Sequence, residues 1–257
     1  MRTGLGRAGR LVSRVLGLAL AAVGPLGAQR AELPHGLQAG RRDVGMRALP
    51  PPGEPTTVWY PASCSRRSPG SATPCRDAVP DSGRFPLLLF APGDGNAVQD
   101  TVLARYFASH GYVVVVVPVG LEAALQAALA LPFVDSTQVA VAGAGAGAAA
   151  ARQVAVRGRV IGALVELRPV DDPPPAAAGG RFATLIVRDS TDRPAPTGGR
   201  RLTVSLPGGP SDHVRLVIAV THAFLNAALG RGSLSLTDLT RRLRAAGLAA
   251  CCPADHH

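Results

Sequence analysis

The segment from Thr137 to Arg152 constrains the fold of this chain more than any other. A β-rich run enters a turn of the form Gly-x-Gly-x-Gly, with glycines at positions 143, 145 and 147, and an alanine-rich run leaves it. Glycine tolerates the positive φ angles and the close backbone approaches that such turns require. The segment therefore predicts a strand, a tight turn and a helix in direct succession.

Two kinds of functional site share this plan. In a nucleophile elbow, Gly-x-Ser-x-Gly, the middle residue attacks the substrate, and here that position is Gly145, which has no side chain. In a dinucleotide-binding turn, Gly-x-Gly-x-x-Gly/Ala, the backbone approaches a pyrophosphate, and Gly143, Gly145 and Ala148 satisfy that pattern. Glu166, at the end of the next predicted strand, lies near where a ribose-binding acid belongs.

Strand and helix patterns alternate along most of the chain. Continuous apolar runs at 86–91 and 112–117 are typical of strands buried in a parallel sheet. This alternation predicts an α/β fold with a doubly wound, mostly parallel sheet. The other predicted strands are 56–60, 138–142, 160–166, 182–187 and 202–206, and the predicted helices are 98–110, 121–131, 146–156, 215–229 and 236–246.

The interval 168–181 interrupts the alternation. It is rich in proline, glycine and alanine, which predicts a loop rather than a helix. We therefore expect any cap or lid over the site to be reduced or absent, and we expect a poorly walled pocket. The expected organisation is a signal peptide at 1–28, a linker-like segment at 29–55, one domain at 56–247 and a tail at 248–257.

The N-terminus has the pattern of a secretory signal. Four arginines precede a short apolar run at 15–23, and cleavage is expected near Ala28. We therefore expect a secreted or periplasmic protein. The apolar run is too short for a confident membrane span, and cleavage would remove it from the mature chain. An uncleaved anchor is the alternative.

The cysteines fit an exported protein. Cys64 and Cys75 flank a polar loop and are predicted to form a disulfide. Cys251 and Cys252 are adjacent, and the sequence leaves their role open. The six histidines show no ligand spacing, so no metal site is predicted.

The net charge of +10 would by itself suggest an anionic partner. All 27 basic residues are arginine, however, and they are dispersed along the chain in singles and doublets. This is typical of a compositional bias. Because no basic tract is interleaved with aromatic residues, nucleic-acid binding is not expected.

Taken in order, the motifs resemble those of secreted α/β-hydrolases of the dienelactone-hydrolase and platelet-activating-factor-acetylhydrolase-like kind. The passage at 105–115, which contains Ala-Ser-His-Gly-Tyr-Val-Val, is similar to that family's helix-to-strand passage. The resemblance covers roughly residues 43–247. The other matching stretches are 85–95 for the third core strand and oxyanion loop, 134–143 for the approach to the elbow, 183–192, 206–213 and 221–230.

The resemblance implies roles for individual residues. Asp192 stands at the position of the catalytic acid, His213 at that of the base, and Asp94 and Ala146 near the oxyanion-hole donors. The chain departs from the family at Gly145, where the serine nucleophile is missing. At Asp94 a carboxylate would oppose the developing negative charge. His110 and His222 fall in predicted helices and are interpreted as structural.

We therefore expect a protein related to carboxylic ester and lactone hydrolases, catalytically impaired, that uses no cofactor and binds a small ester-like ligand or a protein partner. One alternative is an active hydrolase in which His213 activates a water. A second is a dinucleotide-binding protein. Against the second stand the mid-chain position of the glycine turn and the short chain that follows it.

Overall fold

A computed structural model describes residues 37–49, 56–64, 74–93, 97–171, 181–189, 200–206 and 210–251. All of them belong to one compact unit, Glu32–His257. The predicted signal peptide at 1–28, Asp94, Asp192 and most of the predicted loop 168–181 lie outside the described residues.

The described ranges form strands and helices that alternate through the middle of the chain. The helices are α1 (Ala97–Ser109), α2 (Leu121–Leu129), α3 (Ala146–Arg157), α4 (Pro210–Ala228) and α5 (Leu236–Ala245). The strands are β1 (Asp43–Leu49), β2 (Thr56–Ser63), β3 (Cys75–Arg76), β4 (Val79–Pro80), β5 (Phe85–Ala91), β6 (Val113–Val116), β7 (Val134–Ala144), β8 (Ile161–Leu167), β9 (Ala183–Asp189), β10 (Arg201–Leu206) and β11 (Ala249–Cys251).

These strands form one sheet in the order β11-β10-β9-β8-β7-β5-β6-β2-β1-β3, with β4 beside β2. Strands β5 to β10 are mutually parallel. Strand β2 is antiparallel to β1, β4 and β6, β11 is antiparallel to β10, and β1 is parallel to β3. From β5 the chain moves to β6 on one side and returns to β7 on the other. The predicted fold class is thus confirmed, and the order reverses between β5 and β7, where open α/β sheets place their ligands.

Both faces of the sheet are covered by helices. Side chains alternate between faces along a strand, and on one face Leu87, Leu89, Val139 and Val141 pack with apolar residues of α2 and α3. The neighbouring residues Leu88 and Val114 are fully buried as well. Helices α1 and α4 contact each other and cover this second face. Burial on both faces explains why the central strands read as unbroken apolar runs.

Two predicted boundaries are wrong. The segment expected to be linker-like, 29–55, contains β1, which pairs with β2 from Asp43 opposite Ala62 to Leu49 opposite Thr56. The expected tail, 248–257, contains β11, which pairs with β10. Both strands lie at or near a sheet edge, where hydrogen bonding to neighbouring strands orders short segments.

The predicted disulfide is confirmed. Cys64, directly after β2, is bonded to Cys75 in β3, with the two Cα atoms 6.3 Å apart. Disulfides are typical of proteins outside the reducing cytoplasm. In the described ranges, no helix has both the length and the apolar character needed to cross a membrane.

We expect the double substitution Cys64→Ser and Cys75→Ser to lower the free energy of unfolding by about 2–3 kcal/mol, because the bridge restricts the unfolded chain across a short loop. Urea unfolding of the oxidised protein and the double variant measures the difference. A single substitution at Cys252 is the control for loss of a thiol. Equal midpoints for the oxidised protein and the double variant would contradict the prediction.

Candidate active site

Gly145 joins β7 to α3 in the conformation of a tight elbow. Its φ is 52° and its ψ is −122°, and it directly precedes the first residue of α3, Ala146. The N–H of Gly145 donates to the carbonyl of Leu167 at 2.8 Å, and its own carbonyl accepts from the N–H of Ala148 at 3.2 Å. The predicted strand, turn and helix are therefore confirmed, and the backbone at position 145 is held from both sides.

At three positions around this turn, the neighbouring backbone leaves room only for glycine. A Cβ on Gly143 would lie 2.2 Å from the carbonyl oxygen of Gly147, and one on Gly147 would lie 2.3 Å from that of Ala91. A Cβ on Gly93, in the loop after β5, would lie 1.9 Å from the oxygen of Ala144. These backbones are in direct contact, so no larger residue fits without moving them.

Gly145 differs from those three. Among the described residues, a Cβ there would meet only the Cα of Gly93, at 3.8 Å, which is ordinary van der Waals contact. The positive φ still disfavours any residue other than glycine. Position 145 thus has room for a side chain, although it carries none.

A cavity of about 320 Å³ opens in front of the elbow. Its size is within the range of about 300–1,000 Å³ that is usual for small-molecule sites. Apolar side chains of α1, α4 and the strand ends supply most of its lining. The lining comprises Phe90, Gly93, Asp100, Leu103, Ala144, Gly145, Ala146, Leu167, Arg168, Val170, Val187, Val214, Val217 and Ile218.

Two of the predicted site positions, Gly145 and Ala146, line this cavity. The other positions cannot be placed against it. Asp94 and Asp192 lie outside the described residues. His213 was expected in a loop, but its backbone lies in the first turn of α4, which begins at Pro210. Proline is well suited to the first position of a helix, because its φ angle is already helical and its missing N–H has no acceptor there.

Topology relates these sequence positions to the elbow. Strand β9 ends at Asp189 and β10 at Leu206, and both run parallel to β7. Their carboxyl ends therefore lie at the same sheet edge as Gly145. Asp192 follows the first of these ends in sequence, and His213 follows the second.

The cavity lining includes two ionisable residues that the sequence did not single out, Asp100 and Arg168. Asp100 lies in the first turn of α1. Arg168 follows β8 with φ +47°, and its N–H donates to the carbonyl of Val187 at 2.8 Å. A residue other than glycine in the left-handed backbone region costs energy, and such residues are often found at functional sites. The only sequence signal was Pro169, which disfavours helical backbone at position 168.

Glu166 does not serve the role that the dinucleotide interpretation requires. It is fully buried, and its Oε1 accepts from Nε of Arg152 on α3 at 2.5 Å. Burial raises the pKa of the Glu166 carboxyl, and the Arg152 guanidinium opposes that rise. Glu166 is also not part of the cavity lining. It connects β8 to α3 and presents nothing to a ligand, so the dinucleotide interpretation is not favoured.

Within the described ranges, no group of three or more His, Cys, Asp or Glu side chains is arranged to hold a metal ion. His110 and His222 lie away from the cavity lining, in a cluster of aromatic rings between α1 and α4. Their rings contact each other and those of Tyr106, Phe107 and Tyr112.

No protein-family model matches the chain, and a comparison with curated proteins found no significant match. Solved structures do match. A ferulic acid esterase from Streptomyces cinnamoneus is similar with a TM-score of 0.62 and 18% sequence identity, over 79% of this chain and 95% of the esterase. At this identity the likeness establishes the fold. The chain shares with that esterase an α/β fold built on a mostly parallel central sheet.

The crowding at the elbow predicts different costs for two alanine substitutions. Gly147→Ala is expected to lower the free energy of unfolding by more than about 3 kcal/mol, because the new Cβ would overlap a backbone carbonyl that cannot withdraw. Gly145→Ala is expected to cost only about 1–3 kcal/mol, the strain of a positive φ. Urea unfolding of both variants measures the difference. Equal costs would mean that the close backbone contacts do not fix the elbow.

Proposed function

We propose that this chain is a catalytically impaired relative of the carboxylic ester hydrolases, which binds a small apolar ester-like ligand in the cavity at its elbow. The observation that carries the proposal is Gly145 itself. It has the backbone of an elbow and space for a side chain, and it lines a cavity of ligand size. It lacks the group that would attack an ester.

The chemistry explains why the missing side chain matters. In an acyl-transfer triad the histidine accepts the proton of the nucleophile, and the acid orients the histidine. We assign these supporting roles to His213 and Asp192 from the family resemblance and from their positions after parallel strand ends. Without a hydroxyl at position 145, they have no nucleophile to activate, and no acyl-enzyme forms.

The composition of the cavity favours an apolar ligand with a carbonyl group. Most of the wall is aliphatic or aromatic and includes Phe90 of β5, Leu103 of α1, and Val217 and Ile218 of α4. The first-turn N–H groups of a helix have no acceptor within the helix, and α3 begins at Ala146 in this wall. A carbonyl oxygen placed there would find donors. The similar solved structure is named an esterase, which supports an ester-like ligand.

We further propose that the protein acts outside the cytoplasm, after cleavage of residues 1–28. The signal-like N-terminal sequence and the Cys64–Cys75 disulfide both support export. A protein partner for the mature chain stays a second possibility from the sequence, and no observation on the described residues favours it over a small ligand.

We expect the native protein to hydrolyse 4-nitrophenyl butyrate barely above background and Gly145→Ser to raise kcat by orders of magnitude. Residual scaffolds without their nucleophile give about 10³-fold over water. Gly145→Ala is the matched control, because it adds the same backbone strain without the hydroxyl. Release of 4-nitrophenolate at pH 8 measures the rate.

Further substitutions separate the possible outcomes. In the Gly145→Ser background, His213→Ala should abolish the gain, and Asp94→Asn should increase it by removing a negative charge near the oxyanion. If the native protein is already fast and His213→Ala stops it, water activation is the mechanism and the proposal of impairment is wrong. If both Gly145→Ser and its Asp94→Asn derivative fold and stay inert, His213 and Asp192 are not positioned to activate a serine at 145.

Binding is tested without any chemistry by butyrophenone, a ketone that resembles an ester and cannot be hydrolysed. We expect calorimetric titration to detect its binding to the native protein. Val217→Trp should weaken that binding at least tenfold by filling the cavity. The control is Val119→Trp, since Val119 is 75% exposed and is not part of the cavity lining. Equal affinity in both variants would show that the ligand binds elsewhere.

A further inference from the structure

Two histidines meet edge to face between the helices that line the cavity. His110 directly follows α1 and His222 lies in α4, and their ring centroids are 4.6 Å apart. The hydroxyl of Tyr106 lies 3.0 Å from Nδ1 of His222. These contacts join helices that are distant in sequence, so the pair holds α1 against α4.

The same two helices both contribute residues to the cavity lining. Leu103 lines it from α1, one turn before Tyr106, and Ile218 lines it from α4, one turn before His222. Residues three or four apart lie on the same side of a helix. A change in the separation of the helices at the histidines therefore reaches the cavity wall within one turn.

The groups that face His222 do not accommodate a positive charge. They are Tyr106 and His110 from the end of α1, Tyr112 before β6, and Arg231 after α4. Arg231 lies over the ring of Tyr112, at 4.5 Å from its centroid. None of these groups is a carboxylate. Burial, with smaller contributions from His110 and Arg231, lowers the pKa of His222 to about 4.

We propose that the His110–His222 contact is an acid-sensitive clamp on the cavity: protonation of His222 separates α1 from α4, opens the wall between them and speeds the exchange of a bound ligand. The effect on ligand exchange rests on the proposed binding function, whereas the opening of the helices does not. At acidic pH the protein would thus release a ligand that it retains at neutral pH.

The direction follows from proton linkage. A histidine whose pKa is lowered in the closed state binds protons more readily once it is solvated, so stability of the closed state is complete above the ordinary pKa and falls as the pH drops below it. The window here runs from the ordinary value of about 6.5 down to about 4. Linkage gives a rise of about 30-fold in the opening constant between pH 7.5 and pH 5.

Hydrogen–deuterium exchange tests the clamp on the full chain without any ligand. Rates for α1 and α4, corrected for intrinsic exchange at each pH, are compared at pH 7.5 and pH 5 with those of α3, which packs on the other face and serves as the internal reference. The variant is His222→Gln, which keeps a neutral acceptor for the Tyr106 hydroxyl. His257→Gln is the control for loss of one histidine.

We expect opening of α1 and α4 to rise at least tenfold at pH 5 in the native chain and in His257→Gln, and less than threefold in His222→Gln. A matching rise in His222→Gln, or an equal rise in α3, overturns the clamp. If His222→Gln does not fold, the acid response of helix exchange is measured on His110→Gln instead. That substitution removes the ring that contacts His222 and lowers the His222 pKa, so the acid response should shrink; an unchanged response contradicts the proposal.

Dissociation of butyrophenone, followed by stopped flow at the same two pH values, tests the link to the cavity. It should accelerate about 30-fold in the native chain and little in His222→Gln. A pH-independent dissociation rate together with acid-dependent helix exchange would show that ligand exit does not use the clamp. Absence of any butyrophenone binding would contradict the proposed function, and the exchange data would still decide on the clamp.

Discussion

The close approach of three backbone segments at the elbow is the constraint on which the site depends. The loop after β5, the end of β7 and the start of α3 meet at Gly93, Gly143 and Gly147, where an added Cβ would lie 1.9–2.3 Å from a carbonyl oxygen. This contact fixes where α3 begins relative to the reversal in strand order. It also fixes the conformation of Gly145 and, with it, the floor of the cavity.

Burial explains how much of this fold could be predicted from the sequence. Strands β5 and β6 are covered on both faces, so their runs are continuously apolar and unmistakable. Strand β1 pairs with β2 and β3, and strand β11 pairs with β10. The backbone hydrogen bonds of such pairing leave no mark on composition. The first turn of α4 was also missed, because the glycines and proline at 207–210 are typical of a loop.

The site was less predictable than the fold, for a related reason. The elbow is local, so Gly145 could be found from spacing, and the family resemblance pointed to Ala146 beside it. The cavity is formed by residues that are distant in sequence, because α1 and α4 meet only after the chain has crossed the sheet. No short sequence pattern indicates that Leu103 and Val217 line the same cavity. Glu166 shows the opposite error. Its sequence position suggested a ligand contact, but only the structure reveals Arg152 as its buried partner.

The elbow backbone and the cavity walls are built by different parts of the chain, and this bears on how a catalytic scaffold can lose its reaction. The positive φ of Gly145 is held by hydrogen bonds to Leu167 and Ala148 and by crowding at its glycine neighbours, so a side chain at 145 would add strain and no packing. The cavity walls come from other elements. On the proposed function, glycine in place of a nucleophile at position 145 removes the reaction, relieves strain and leaves the cavity in place. Selection for binding can then preserve the whole fold without preserving catalysis.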